Sequence, residues 1–174
     1  MRSTLLTLLV ILITPSVSHA QPAVSAADAD MGWSVEGGLG FTAGPDSFLM
    51  QFEAPYHFNS QISVGPQLQI GVSDSTTLVA VSVNTRLTFD TSGSSNAGLR
   101  KIEPFVNCGL GLAFIDRKSV DEVGFLIDLG FGIAYYISEK VGIQSSMQFN
   151  IIPGEAAGEK FYYTWQIAGI RYRF

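Results

Sequence analysis

Residues 61–73 alternate between apolar and polar side chains without an exception. One parity holds only Ile, Val, Leu and Pro66, and the other holds only Gln, Ser and Gly. Successive side chains point to opposite faces of a β-strand, whereas a helix would place Ile62 and Val64 on different faces. The segment is therefore predicted to be a strand with one apolar and one polar face.

The same test predicts eight strands in total. Gly, Pro, Asp and Ser separate them, so consecutive strands are expected to pair as antiparallel hairpins. Proline cannot donate to a strand ladder, so a bulge or one lost hydrogen bond is expected at Pro66. The predicted strands span 33–42, 47–56, 61–73, 77–89, 102–115, 124–137, 141–152 and 161–174.

Composition indicates which solvent the apolar faces meet. Charged residues make up 14% of the chain and apolar ones 47%, whereas about a quarter of the residues in a soluble domain are charged. Strands with one apolar and one polar face cross a membrane when they form a closed barrel, whose apolar faces contact lipid. Residues 33–174 are therefore predicted to form an all-β, eight-stranded antiparallel up-and-down transmembrane β-barrel. Glycines on the polar faces fit a narrow lumen: Gly38, Gly40, Gly109, Gly111, Gly130 and Gly132.

The first twenty residues have the pattern of a secretory signal peptide. Arg2 is basic, residues 5–13 are apolar, and Ser18 and Ala20 are the small residues before the expected cleavage site. The apolar stretch is shorter than the roughly 20 residues of a transmembrane helix. Residues 1–20 are therefore predicted to be removed on export, and the small and polar residues 21–32 to form a flexible N-terminal segment.

The last strand ends in the sequence IRYRF, in which Ile170, Tyr172 and Phe174 share one face. This ending resembles the C-terminal signal that the barrel-assembly machinery reads in bacterial outer-membrane proteins. The stretches 103–115 (EPFVNCGLGLAFI) and 125–143 (FLIDLGFGIAYYISEKVGI) resemble the OmpA/OmpX-like, opacity-protein-like barrel family. The resemblance implies an outer-membrane location, contact with lipid and lipopolysaccharide, assembly by that machinery with periplasmic chaperones, and a monomeric state.

Aromatic side chains are expected at both rims of such a barrel, because Tyr and Trp prefer membrane interfaces. If both termini are periplasmic, parity divides the outward aromatic residues into two bands. The external band comprises Phe41, Phe48, Phe114, Phe125, Phe149 and Tyr162, and the periplasmic band comprises Trp33, Tyr56, Phe89, Tyr135, Tyr172 and Phe174.

Seven charged side chains fall on the lumen parity. Four acids against three bases favour pairing, whereas a selective channel tends to line its constriction with one sign. Pairing the first strand with the last places Glu36 near Arg171, or near Arg173 if the register slips by two residues. The alternative is scattered, hydrated charge. The seven residues are Glu36, Glu53, Arg86, Glu103, Asp128, Arg171 and Arg173.

Catalytic and cofactor-binding patterns are weak in this sequence. His57 has no Ser at a matching spacing, and residues 38–43 have the letters of a dinucleotide loop without a following helix. Cys108 shares the parity of lipid-facing residues and has no second cysteine to pair with. Neither a zinc nor a calcium spacing is present. We therefore predict no catalytic, cofactor-binding or metal-binding residues.

The remaining hypotheses differ in function. About eight strands leave a lumen that side chains fill, which excludes a general porin, and the 15 acidic against 10 basic residues disfavour nucleic acid. The preferred interpretation is a non-enzymatic barrel with a structural or envelope-integrity role. One alternative is a surface binding or adhesion module that uses loops 116–123 and 153–160, and another is a lipid-modifying barrel enzyme.

Overall fold

The structure is a computed structural model that describes residues 31–91, 95–96, 98–117, 120–156 and 158–174. The predicted signal peptide and residues 21–30 of the predicted flexible segment lie outside these residues. The elements are β1 (Gly32–Ala43), β2 (Ser47–Glu53), β3 (Tyr56–His57), β4 (Ile62–Val72), β5 (Thr76–Thr88), a short 3-10 helix (Leu99–Lys101), β6 (Ile102–Arg117), β7 (Val120–Tyr136), β8 (Val141–Ala156) and β9 (Glu159–Arg173).

The strands form one closed antiparallel barrel. β1 pairs with β2 and β3, these two pair with β4, each later strand pairs with the next along the chain, and β1 pairs with β9 to close the sheet. Because β2 and β3 both lie between β1 and β4, the nine segments fill eight strand positions. The prediction of an eight-stranded, all-β antiparallel barrel is confirmed. We call the end that holds Met31 and Phe174 the terminal end, and the opposite end the distal end.

The break between β2 and β3 lies opposite Pro66. The Ala54 N–H donates to the Pro66 carbonyl at 3.1 Å, but Pro66 has no N–H with which to complete the pair. Of the two expected outcomes, the structure has the lost ladder bond and no bulge. The register is the same on both sides of the break, with the pairs Glu53–Gln67 and Tyr56–Val64.

Large apolar side chains cover the outside of the barrel. The parity that the sequence predicts to be apolar is solvent-exposed along each strand, as in Val83, Leu110, Ile133 and Ile170. An apolar surface that encircles the molecule is far larger than the patches found on soluble monomers. Among the described residues, no helix has the length and apolar character needed to cross a membrane.

One bulge in β9 changes which side chains face outward. Leu39 pairs with Ala168, but the next residue of β1, Gly40, pairs with Gln166. The extra residue reverses the alternation of β9 on its distal side. The prediction that Tyr162 faces outward in the external aromatic band is therefore wrong, because its side chain is 0% exposed inside the barrel.

The two segments predicted as the loops most able to contact a partner are mostly strand. β6 continues to Arg117 and β7 begins at Val120, with Asp116 and Asp121 paired across the hairpin. Likewise, β8 continues to Ala156 and β9 begins at Glu159. The prediction of loops over 116–123 and 153–160 is wrong, because strand ends beyond the apolar belt lie in water and need no apolar alternation.

Candidate functional site: the barrel interior

Inward-facing side chains fill the barrel in three successive layers. We call them the apolar layer, at the distal end, the amide layer, in the middle, and the charge layer, at the terminal end. The order follows from the strands themselves. Along β5, the inward side chains are Leu78, then Ser82 and Asn84, then Arg86.

The apolar layer closes the distal end. Its side chains are at most 2% exposed, and they come from β5, β6, β7, β8 and β9. Above it, Arg117 and Glu159 form an ion pair at 2.7 Å that joins the two distal hairpins. The sequence analysis missed this layer because it treated the inward parity as uniformly polar. The layer comprises Leu78, Ala80, Ala113, Ile115, Leu126, Ile152, Ala156 and Tyr162.

The amide layer crosses the lumen. The Gln67 amide on β4 donates to Gln148 Oε1 on β8 at 2.8 Å, and Gln69 donates to the same oxygen. β4 and β8 occupy opposite positions in the barrel, so these hydrogen bonds span its width. Gly38 leaves room for the amide of Gln166, because a Cβ at Gly38 would collide with it. Gly109 and Gly130 make space for the amides of Asn84 and Asn107 in the same way.

The charge layer contains six of the seven charged residues predicted to face the lumen. Arg86 binds both carboxylate oxygens of Glu36, at 2.7 and 2.9 Å, and reaches Glu53 at 2.6 Å. Arg171 Nε lies 2.7 Å from the same Glu36 carboxylate. The network continues to Glu103, which lies 3.6 Å from Arg171 and 3.3 Å from Arg173. Three acids and three bases therefore balance inside the barrel.

Aromatic rings support the charge layer. The guanidinium carbons of Arg86 and Arg171 lie 4.3 and 5.7 Å from the centre of the Phe105 ring. The Tyr136 hydroxyl accepts a hydrogen bond from Arg171 at 3.1 Å, and Arg173 lies over the Tyr136 ring at 4.9 Å. The sequence analysis did not identify these two rings, although their inward parity was a signal that could have found them.

Asp128 lies away from the other six charges. It belongs to the amide layer, where its register partners are Gly109 on β6 and Asn150 on β8. Its side chain is 0% exposed, and no ion pair to it is found among the described residues. The structure therefore does not bring Asp128 into the network that the sequence analysis assigned to it.

A serine and a histidine meet at the terminal end. Ser34 Oγ lies 2.9 Å from His57 Nε2, a contact that the sequence spacing of 23 residues did not suggest. Ser34 is 0% exposed and His57 5%. Within the described residues, no group of three or more His, Cys, Asp and Glu side chains could hold a metal ion.

The predicted aromatic bands lie on the outside, with Tyr162 as the exception described above. Trp33 and Tyr56 pack edge to face at the terminal end, as do Tyr172 and Phe174, each pair at 5.3 Å. At the distal end, Trp165 faces outward and packs against Phe41 at 5.6 Å. The remaining predicted band residues are exposed or half-buried on the outer surface: Phe48, Phe89, Phe114, Phe125, Tyr135 and Phe149. Of the predicted assembly signal, Ile170, Tyr172 and Phe174 are all exposed.

Comparison with known proteins gives structural relatives only. No protein-family model matches the sequence, and no curated protein matches it. Neisserial surface protein A superposes with a TM-score of 0.63 at 15% identity, covering 82% of this chain and 96% of that one. The N-terminal β-barrel domain of Pseudomonas aeruginosa OprF superposes with a TM-score of 0.62 at 14% identity, covering 83% of this chain and 99% of that one. The outer membrane enzyme PagL superposes with a TM-score of 0.53 at 10% identity, covering 81% of this chain and 99% of that one.

This is the fold of the small transmembrane β-barrels. The match covers 96–99% of the length of these solved structures, so it extends over their whole barrels. At identities of 10–15% the comparison shows the fold and does not show the function, because one such fold supports proteins with different activities.

Proposed function

We propose that this chain is a non-enzymatic barrel of the bacterial outer membrane with a structural or envelope-integrity role. The observation that carries the proposal is the closed interior: apolar side chains, crossing amides and a balanced charge network fill the lumen one above another. The apolar outer surface supports contact with outer-membrane lipid and lipopolysaccharide. The proposal also includes membership of the OmpA/OmpX-like group, export by a signal peptide, assembly by the barrel-assembly machinery with periplasmic chaperones, and a monomeric state.

The interior argues against a pore. An ion path would have to pass the apolar layer, where side chains are at most 2% exposed, and then the hydrogen bonds that join Gln67 and Gln148 across the barrel. The Glu36–Arg86–Arg171 cluster would then block it again at the terminal end. A conducting barrel needs a continuous aqueous route, and each layer closes it by a different interaction.

The Ser34–His57 pair is the observation that favours an enzyme most. A serine nucleophile and a histidine base at 2.9 Å have the separation that acyl chemistry requires. Both side chains, however, are buried inside the barrel wall, so a lipid substrate has no route to the hydroxyl. We therefore assign the pair a structural role, in which the histidine satisfies a buried hydroxyl.

An adhesion role has less support than the sequence suggested. The segment 116–123 is largely a strand hairpin, whereas in the segment 153–160 the pairing of β8 with β9 is interrupted between Ile151 and Ala156. The first hairpin carries the exposed Asp116 and Asp121 directly opposite each other, and this local negative charge is unfavourable for binding an acidic surface.

Deletion of the gene in the source bacterium tests the proposal. We expect greater entry of a large hydrophilic antibiotic and greater sensitivity to detergent, with both restored by the wild-type chain. The Ser34→Ala/His57→Ala double variant should restore both to the wild-type level. Loss of rescue by a variant that still assembles would contradict the non-enzymatic role.

Two further measurements address location and conduction. Outer-membrane fractions should contain the protein as a gel band whose mobility changes on heating, which is the behaviour of a folded barrel. The purified protein in planar bilayers should show no steady single-channel conductance. A band found only in the soluble periplasm, or stable channel openings, would contradict the proposal.

A further inference from the structure

We infer that Asp128 and the oxygen atoms around it form a binding site for one small monovalent cation, Na⁺, within the amide layer. This site lies outside the charge layer, and it does not depend on the envelope role proposed above.

The first observation is an uncompensated carboxylate. Asp128 is 0% exposed, and neither of its oxygens has a hydrogen-bond partner of standard geometry among the described residues. The Ser82 side chain lies near it but carries no charge that could neutralise the carboxylate. The arginines that face the lumen are paired with Glu36, Glu53 and Glu103 instead. A buried ionised carboxylate is costly without a positive charge beside it, and a bound cation would supply that charge.

The second observation is that another unpartnered oxygen faces this carboxylate across Gly109. A Cβ built on Gly109 would meet Asn84 Oδ1 closely and would stand 2.6 Å from Asp128 Oδ2. The amide nitrogen of Asn84 is engaged by other acceptors, since it donates to Ser82 Oγ at 2.9 Å and to Gln67 Oε1. Two acceptor oxygens therefore converge on one point that a glycine keeps open.

The neighbouring strands add further oxygen atoms. Asn150 is the register partner of Asp128, is 0% exposed, and has no partner for either amide atom within the described residues. Tyr162 is in turn the register partner of Asn150, and its buried hydroxyl also lacks a partner there. The set thus draws on four strands: Asn84 of β5, Asp128 of β7, Asn150 of β8 and Tyr162 of β9.

The chemistry of this set favours a hard cation. Carboxylate, amide and hydroxyl oxygens are hard ligands, and no nitrogen or sulfur ligand is part of the set. The set carries one formal negative charge, which a monovalent ion neutralises. Ca²⁺ sites gather more carboxylates than one and more ligands than this set provides. We therefore choose Na⁺ rather than a divalent ion.

The closed interior determines how the site should behave. The apolar layer covers the site on its distal side, and the crossing amides and the charge layer lie on its terminal side. A bound ion would therefore exchange slowly and stabilise the folded state, because ligands that bind only the folded state raise its stability. The site is inferred to be structural, since no open path leads through it.

The test is the stability of the whole folded barrel in detergent. The thermal unfolding midpoint is measured in NaCl and in choline chloride at equal ionic strength. We expect the midpoint to rise with Na⁺ concentration and then to saturate, with no rise in choline.

Variants locate the effect. Asp128→Asn should remove the Na⁺ dependence, and Asn150→Ala should weaken the apparent Na⁺ affinity about tenfold through the loss of one ligand. Asp116→Asn, at an exposed hairpin position, should leave the dependence unchanged. Equal midpoints of the wild-type protein in Na⁺ and choline would overturn the inference, and so would an undiminished Na⁺ effect in Asn150→Ala. These two results decide the matter even if Asp128→Asn fails to fold.

Discussion

Glu36 of β1 and Arg171 of β9 face each other across the seam at which the barrel closes. They are register partners, and Arg171 Nε lies 2.7 Å from Glu36 Oε1 with both side chains buried. Gln144 joins them from β8, donating to Glu36 at 2.9 Å and accepting from Arg171 at 3.0 Å. The first and last strands are thus linked by charge as well as by backbone hydrogen bonds.

Glu36→Gln and Arg171→Met should each lower the unfolding midpoint in detergent. Removing one partner of a buried pair costs on the order of 3–5 kcal/mol, because the survivor is left uncompensated. The double variant should recover part of the loss. The half-buried Arg117–Glu159 pair at the distal end offers a control, since it is partly solvated and Glu159→Gln should cost only about 1 kcal/mol. Strictly additive losses in the double variant would show that the two residues do not act as a pair.

Leu126→Ala should destabilise the barrel far more than Leu129→Ala. The two leucines lie on β7 three residues apart, but Leu126 is 1% exposed within the apolar layer and Leu129 is 48% exposed on the outer surface. Truncating a packed leucine costs about 2–5 kcal/mol. Urea unfolding of both variants in the same detergent provides the comparison. Equal midpoints would mean that the distal lumen is not packed.

Lipids with brominated acyl chains should quench Trp165 and leave a tryptophan at position 162 unquenched. Trp165 faces outward and Tyr162 inward because of the bulge in β9. The two proteins to compare are Trp33→Phe, which retains Trp165, and Trp33→Phe/Trp165→Phe/Tyr162→Trp. Quenching of the second protein and not the first would place the bulge elsewhere.

Deletion of Phe174 should reduce the amount of assembled barrel without loosening its interior. The ring is exposed and makes an edge-to-face contact only with Tyr172 among the described rings, so few internal contacts depend on it. Surface-exposed protein is measured against periplasmic degradation products. Phe131→Ala, an exposed aromatic position away from the C-terminus, is the control. Unchanged surface levels after deletion of Phe174 would argue against an assembly signal there.

Alternation alone predicted the strand count, the antiparallel order and the outward faces, because period two is the geometry of a strand and a lipid belt keeps it regular. It failed where other forces act. A single extra residue near Ile167 reverses which face of β9 Tyr162 lies on. The sequence does not reveal this bulge, because apolar residues occupy both parities of β9 around it. The hairpin ends around Asp116 and Glu159 are hydrated, so nothing there required apolar residues.

The interior was predictable only in part. Parity and chain reversal are enough to place Glu36 and Arg171 on one face at one height. They do not give the height of Asp128, which depends on how far β7 is staggered relative to β1. They also do not pair Ser34 with His57. That contact requires the register of β1 with β2 to continue unchanged into β3, across the break described above.

The layered lumen has a consequence for how the strands find their alignment. A slip of two residues preserves inside and outside, so the outer surface cannot detect it. Inside, a slip of β5 toward the distal end would move Arg86 into the amide layer and Asn84 toward the apolar layer, and a slip toward the terminal end would move Asn84 into the charge layer. Each misaligned barrel would therefore contain a buried charge or amide in the wrong surroundings. The filled interior thus distinguishes one strand register from another, and it favours one barrel among those that the same alternation allows.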